Sequence, residues 1–164
     1  MTLVTPPGEA ALDDAVLAAE DLAQRVGSAL MERDRVGRSL GIALAGIGPG
    51  WASMEMTVRD DMINGHDICH GAYLFALADT ACAYAGNSRN INTLSQGVSL
   101  AFVAPALKGE RLSAEARECV TAGRSSYYDV CITRPNGDVV AILRGHCRTV
   151  GGAVLGAEDA FAKT

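Results

Sequence analysis

INGHDICHGAYLFALADTACAYAGNS, residues 63–88, changes character part-way along. Up to His70 it is polar and holds Gly65; from Gly71 it becomes a run of Ala, Leu, Phe, Tyr and Cys with a single acid, Asp79, at its centre. Such a run favours a helix, and a helix that is apolar on nearly every side must be covered on nearly every side. A lone carboxylate in that setting costs on the order of several kcal/mol unless it is paired, hydrogen-bonded or protonated. Asp79 therefore reads as a functional group ahead of a structural one.

Outward from this helix the period of the sequence changes. Upstream, Leu12, Val16, Ala19, Leu22 or Ala23, Val26 and Leu30 recur at three- and four-residue steps from Glu9 to about Asp34, which predicts an amphipathic N-terminal helix. Next, GIALAGI and WASMEMTV flank the turn Gly48-Pro49-Gly50. Trp51, Ser53, Glu55 and Thr57 alternate with Ala52, Met54, Met56 and Val58, as in a strand hairpin. Downstream, VSLAFVAP, RLSAEARECV, SSYYDVCITR and DVVAILRGHCRTV are four strand-like runs. Asn136-Gly137 is expected to form a two-residue hairpin turn between the last pair. Helix, two strands, apolar helix and four strands make an α+β chain in which a twisted antiparallel β-sheet wraps around a central α-helix, the hotdog layout, with an extra N-terminal helix. A ferredoxin-like sandwich would need two comparable amphipathic helices between strands. The expected organisation is a leader at 1–8, one domain at 9–150 and a tail at 151–164.

Composition narrows the function. The chain has 164 residues, about the size of one domain, and is 49% hydrophobic, enough for a sizeable core. A net charge of −5 without a basic cluster argues against nucleic acid and anionic membrane as partners. The N-terminus lacks the pattern of a signal peptide and no apolar run is long enough to span a membrane, so the expected location is cytoplasmic. Five cysteines, an odd number at wide spacing without a C-x-x-C pair, suggest reduced thiols serving as small apolar residues. His66, Cys69 and His70 are poorly spaced as zinc ligands, and no metal is expected. Cys82, on the apolar helix, reads as buried filler.

The start of the helix supplies a second chemical element. Backbone N–H groups near Gly71 and Ala72 lack helical acceptors and are available to a developing oxyanion, and Gly71 has no side chain to block a carbonyl. An oxyanion donor and a carboxylate are equipment for acyl transfer. They lie eight positions apart, about 12 Å along the axis at ~1.5 Å per residue, too far to share one carbonyl. Two antiparallel copies of the helix would bring Asp79 of one subunit towards Gly71 of the other, which predicts a homodimer with composite sites.

NGHDICHGAYLFALADTACAYAGNS resembles the signature of hotdog-fold acyl-CoA thioesterases of the PaaI type, in which an Asn precedes an H-G-x turn and the helix carries LAD before a small-residue run ending Asn-Ser. The similarity extends over VSLAFVAPALKGERLSAEA and, in all, from about Arg35 to Val150. It implies hydrolysis of an aryl-acyl thioester of the phenylacetyl-CoA or hydroxyphenylacetyl-CoA class in phenylacetate catabolism. Asp79 would then be nucleophile or general base, the Gly71 amide would polarise the carbonyl, Asn64 would position carbonyl or water, and His70 would shape the loop. Ala72 stands where a second glycine is common. The resemblance further implies a homotetramer of paired dimers and no cofactor, coenzyme A being part of the substrate.

Around that centre, Tyr73 and Phe75 are candidates to line the acyl pocket, as is Tyr84. Lys108, Arg111 and Arg124 are candidates for the coenzyme A phosphates, Arg124 the preferred one because Gly123 and two serines add donors to its turn. Two alternatives differ in chemistry. A hotdog β-hydroxyacyl thioester dehydratase would use His70 to move protons at carbon, and a non-catalytic acyl-CoA-binding module would have no need of the acid.

Overall fold

The computed structural model describes residues 9–156. The leader at 1–8 and the end of the tail, 157–164, lie outside the described residues. Helix α1 (Glu9–Arg33) leads through a short α2 (Arg35–Leu40) into the hairpin β1 (Ala43–Gly48) and β2 (Trp51–Thr57). The apolar run is α3 (Gly71–Asn87), followed by β3 (Thr93–Phe102), β4 (Arg111–Ala122), β5 (Ser125–Thr133) and β6 (Val139–Thr149). The six strands form one antiparallel sheet in the order β1-β2-β4-β5-β6-β3. This is the α+β hotdog architecture expected.

The alternation read in the strands is the pattern of burial. Met54 and Met56 on β2, Leu112 and Ala114 on β4, Val130 and Ile132 on β5, and Ala141 and Leu143 on β6 are all at most 2% exposed and form one core with α3. From α3 they meet Leu74, Leu77, Ala78, Ala81 and Cys82. Small residues on both sides let helix and sheet approach closely.

Three expectations need correction. The periodicity of the N-terminal helix predicts burial of its whole apolar stripe, but only the later turns are covered. Ala23 and Val26 are fully buried, whereas Val16 is 58% exposed; the Leu12 side chain lies outside the described residues. The reason is length: 25 residues span about 37 Å of helix, and the six-residue β1 beneath offers about 20 Å of strand. Then α2, not anticipated, ends on Gly41 in the left-handed conformation at φ 71°. The final hairpin is also no two-residue turn: Gly137 alone has positive φ, at 90°, and the Arg134 N–H donates to the Asp138 carbonyl at 3.0 Å. Pro135, with its φ fixed near −65°, favours a longer loop built on a type I turn and closed by a left-handed glycine.

The two sheet edges are treated differently. Along β1, α1 lies close: Gln24 donates from Nε2 to the Ile47 carbonyl at 2.9 Å, and Gly27 leaves room for Leu44 and Ile47. Along β3 one side is paired to β6 and the other is an open edge, with Leu94, Val98 and Phe102 between 41% and 59% exposed. An open apolar edge is a template for pairing.

Because Leu77 is fully buried at the middle of α3, Leu77→Ala should lower unfolding free energy by about 2–5 kcal/mol, read from urea denaturation with an unchanged slope.

Candidate active site

The loop before α3 is built around Asn64. Its Oδ1 accepts from the His66 N–H at 2.8 Å, its backbone N–H donates to the Ile68 carbonyl, and Ile63 pairs with Cys69, closing a narrow hairpin in which Asp67 takes φ 59°. That hairpin delivers His70 to the end of α3. There the His70 Nδ1 accepts from the Ala72 N–H at 3.0 Å, and the Tyr73 N–H donates to the His70 carbonyl. The imidazole thus occupies the capping place usually taken by Ser, Thr or Asp. As an acceptor Nδ1 carries no proton, so the neutral ring has its proton on Nε2.

This corrects the expectation that Gly71 and Ala72 would both offer free donors. The Ala72 N–H is engaged by His70, while the Gly71 N–H has no acceptor among the described residues. One unoccupied N–H remains of the two, at the positive end of the helix dipole. A second feature singles out Gly71: a Cβ there would lie 2.5 Å from Cζ of Phe102. The glycine is required for the ring to lie across the helix start.

Gly71, Asn64 and Phe102, with Ile68, Leu74 and Pro105, line a cleft of about 570 Å³. Its walls are mostly apolar, with Asn64 and the backbone at its polar end. Lys108 belongs to the loop that follows Pro105 and pairs with Asp60, its Nζ 2.6 Å from Oδ1. Arg124 is far from this cleft. Its guanidinium folds back onto the Thr149 carbonyl, and Thr149 pairs with Thr93 at the opposite end of β3 from Phe102.

Asp79 lies outside this cleft. It is not buried as the sequence suggested, because the sheet covers α3 on one side only. Ala72 and Phe75 are exposed and Ala76, Asp79, Thr80 and Ala83 half-exposed, an open strip at helical spacing. On that strip the Asp79 Oδ1 accepts from the Ser95 hydroxyl at 3.0 Å. Ser95 sits where the β3–β6 register shifts, between Ser95 and Gly97. Sequence reasoning missed it, since one Ser in a polar strand start carries no signal of its own and only the fold brings it to the acid. Gly71 and Asp79 remain eight residues apart on one helix, about 12 Å along its axis.

Of the remaining candidates, Phe75 lies on the open strip, 37% exposed. Tyr73 instead packs against the core, its hydroxyl donating to the Asp61 carbonyl at 3.3 Å. Tyr84 is a core residue whose buried hydroxyl has no partner among the described residues and whose pKa is pushed up by burial. Cys69 is buried beside the His70 carbonyl, and burial likewise raises its thiol pKa.

A hotdog sheet, a helix start with one N–H unoccupied among the described residues, and a carboxylate held by a serine are the features the structure brings together, and comparison with known proteins gives the family. Residues 66–141 match the family model described as Thioesterase superfamily. The chain is 36% identical over 128 residues to the acyl-coenzyme A thioesterase PaaI of Escherichia coli, covering 78% of this chain and 91% of the relative. It is 29% identical to a putative esterase of Archaeoglobus fulgidus over 76% of this chain and 80% of that one. The solved structure of the E. coli PaaI protein from the phenylacetic acid degradation operon superimposes with a TM-score of 0.81 at 34% identity, over 82% of this chain and 98% of that one. A point-mutant structure of the phenylacetic acid degradation protein PaaI from Thermus thermophilus gives 0.69 at 30% identity, over 71% of this chain and all of the other. The chain belongs to the thioesterase superfamily. It is a thioester hydrolase, similar over most of its length to PaaI proteins.

His70→Ala should lose the α3 cap and about 1 kcal/mol of stability in urea denaturation. His70→Asn, which restores a capping oxygen, should recover most of that loss.

Proposed function

We propose that the chain is an acyl-CoA thioesterase acting on aryl-acyl thioesters of the phenylacetyl or hydroxyphenylacetyl class, in the breakdown of aromatic acids, with each site shared between two subunits. The observation that carries this reading is the Ser95–Asp79 pair on the open strip of α3, the same helix whose start holds an unoccupied Gly71 N–H. A second copy of α3, antiparallel across a two-fold axis, would cover the strip and set Asp79 against Gly71 of the second copy. The open β3 edge with Leu94, Val98 and Phe102 offers a continuous surface for the same contact. Pairing of such dimers into a tetramer follows the family resemblance.

In this site the thioester oxygen accepts from the Gly71 amide, which stabilises the oxyanion as the carbonyl becomes tetrahedral. Ser95 fixes Oδ1 of Asp79, which leaves Oδ2 for a water molecule or for the carbonyl carbon itself. As general base, Asp79 takes the proton of the attacking water; as nucleophile, it forms an anhydride that water then opens. In both routes the tetrahedral intermediate collapses with loss of the coenzyme A thiolate. Asn64, whose Oδ1 already orders the loop, has its amide N–H₂ to offer the carbonyl or the water. The chemistry calls on no metal and on no cofactor beyond the coenzyme A carried by the substrate.

Aryl selectivity is supported by the cleft at Gly71, where the Phe102 ring and aliphatic walls suit a flat apolar group. Lys108, at the loop beside this cleft, is the best placed of the three basic candidates for a coenzyme A phosphate, Arg111 being paired with Glu55 on β2. A cytoplasmic location fits five thiols of which the structure bridges none; no helix among the described residues is long and apolar enough to cross a membrane. The dehydratase reading fits less well, because His70 Nδ1 is committed to holding the helix start.

Thiol release from phenylacetyl-CoA and hydroxyphenylacetyl-CoA should fall by ~100-fold or more in Asp79→Asn, with KM little changed. Ser95→Ala should lower kcat by about 10-fold, the size expected for one hydrogen bond to a charged group. Absence of thiol release by the wild type from any aryl or alkyl thioester would refute the assignment.

A further inference from the structure

We propose that Cys82 and Cys147 form an oxidisable dithiol beneath the candidate active site, and that hydrogen peroxide joins them in a disulfide that switches hydrolysis off. The second half of this proposal rests on the function proposed above; the first half does not.

The two sulfurs are 3.6 Å apart and come from different elements. Cys82 is on α3, three residues beyond Asp79, and Cys147 is on β6, directly paired with Ser95. Both side chains are fully buried. The strand makes room for the contact: a Cβ at Gly145 would lie 2.6 Å from the Cys82 sulfur. No other two cysteines among the described residues make such a contact.

Burial would ordinarily make such thiols inert, but the site has an approach. Ser95 is exposed, its hydroxyl lies 3.0 Å from Asp79 Oδ1, and the same oxygen is 4.0 Å from the Cys147 sulfur. A molecule as small as peroxide that reaches Asp79 is therefore one side chain from Cys147. The pair is also polarised. Hydrogen bonds from Cys82 and from Ser95 hold the Cys147 thiol below its ordinary pKa against the opposing effect of burial, while the Cys82 thiol is pushed up. Cys147, the sulfur beside the exposed Ser95, is the one an oxidant entering by that route meets first.

The steps balance. The Cys147 thiolate attacks one peroxide oxygen, an S–O bond forms, the O–O bond breaks, and hydroxide leaves and is protonated to water. Cys82 sulfur then attacks the sulfenic sulfur, the S–S bond forms, the S–O bond breaks, and the second water leaves with the Cys82 proton. Two thiols are oxidised by two electrons in all, and one peroxide is reduced to two waters. A thiol reverses the reaction by exchange.

Closing 3.6 Å to the ~2.05 Å of a disulfide brings the two sulfurs about 1.5 Å closer, by rotation of the side chains together with movement of α3 against β6. That displacement falls within one helical turn of Asp79 and on the residue paired with Ser95. A shift of about 1 Å in positioned groups is enough for losses of about 100-fold.

The test is treatment of the purified wild-type protein with hydrogen peroxide, alkylation of remaining thiols, peptide mapping by mass spectrometry, and thiol release assayed on the same samples after excess peroxide is removed. Exposed Cys119 serves as the internal measure that oxidant was effective. The expected result is a Cys82–Cys147 cross-linked peptide, two hydrogens lighter than its parts, formed in step with a loss of turnover of 10-fold or more that dithiothreitol reverses. Cys147→Ala should keep its turnover through the same treatment, and Cys82→Ala, the second variant should the first fail to fold, should lose the dithiothreitol-reversible inactivation together with the cross-link. Oxidation of Cys119 without the cross-link would overturn the site. A complete cross-link with unchanged turnover would overturn the switch, and an inactive untreated wild type would count against the proposed function while the mass map still decides the dithiol.

Discussion

The sheet covers α3 on one side only, and much of the molecule follows from that. Leu74, Leu77, Ala78, Ala81 and Cys82 face the strands and are buried, while Ala72, Phe75, Ala76 and Ala83 look away from them and are not. Around Asp79 and Thr80 this strip is alanine and one phenylalanine, which gain nothing from water, and α1 packs mainly on the β1 edge, its last turn coming near only Ala83. The proposed second subunit meets that need with the same surface of a second copy.

The uncovered strip also explains how the fold tolerates its acid. Asp79 keeps contact with solvent in the single chain and takes one hydrogen bond from Ser95, so the cost of burying a carboxylate would arise only when the proposed partner and substrate close over it. At the other end of the helix His70 caps Ala72 and leaves Gly71 as the donor in the cleft with Phe102. In the proposed mechanism the helix carries both halves of the chemistry at a spacing that no single copy can use. Beneath the acid, Cys82 and Cys147 tie the same stretch of α3 to the strand that holds Ser95 in register.

Legibility in the sequence varied with how local the cause was. Strand alternation in β2 and β5, the helical run of α3 and the His70-Gly71 helix start are short-range patterns, and the structure has them where the sequence puts them. Asp79 stood out because its neighbours are apolar. Ser95 did not, because its partner is 16 residues away and only the return of β3 along α3 joins them. The cap on Ala72 was missed for a different reason: histidine is an unusual capping residue, and its Nδ1 can serve only in one tautomer. Val16 and the Asn136-Gly137 turn misled, since neither periodicity nor dipeptide preference knows how long the neighbouring strand is or that Pro135 precedes the turn.

The central claim is that acid and oxyanion donor act across two subunits, and a complementation measurement tests it most directly. Gly71→Pro removes the N–H at a first helical position that accepts proline, after a His70 already at ψ 132°. The Phe102 ring it would meet is 59% exposed and free to turn aside. Asp79→Asn removes the acid. Each variant alone should be close to inactive in thiol release. Co-expressed with different affinity tags and purified through both, the mixed dimer should regain about half of wild-type turnover, because one of its two sites is intact. A mixed dimer as inactive as its parents, or no mixed dimer at all, would contradict the account.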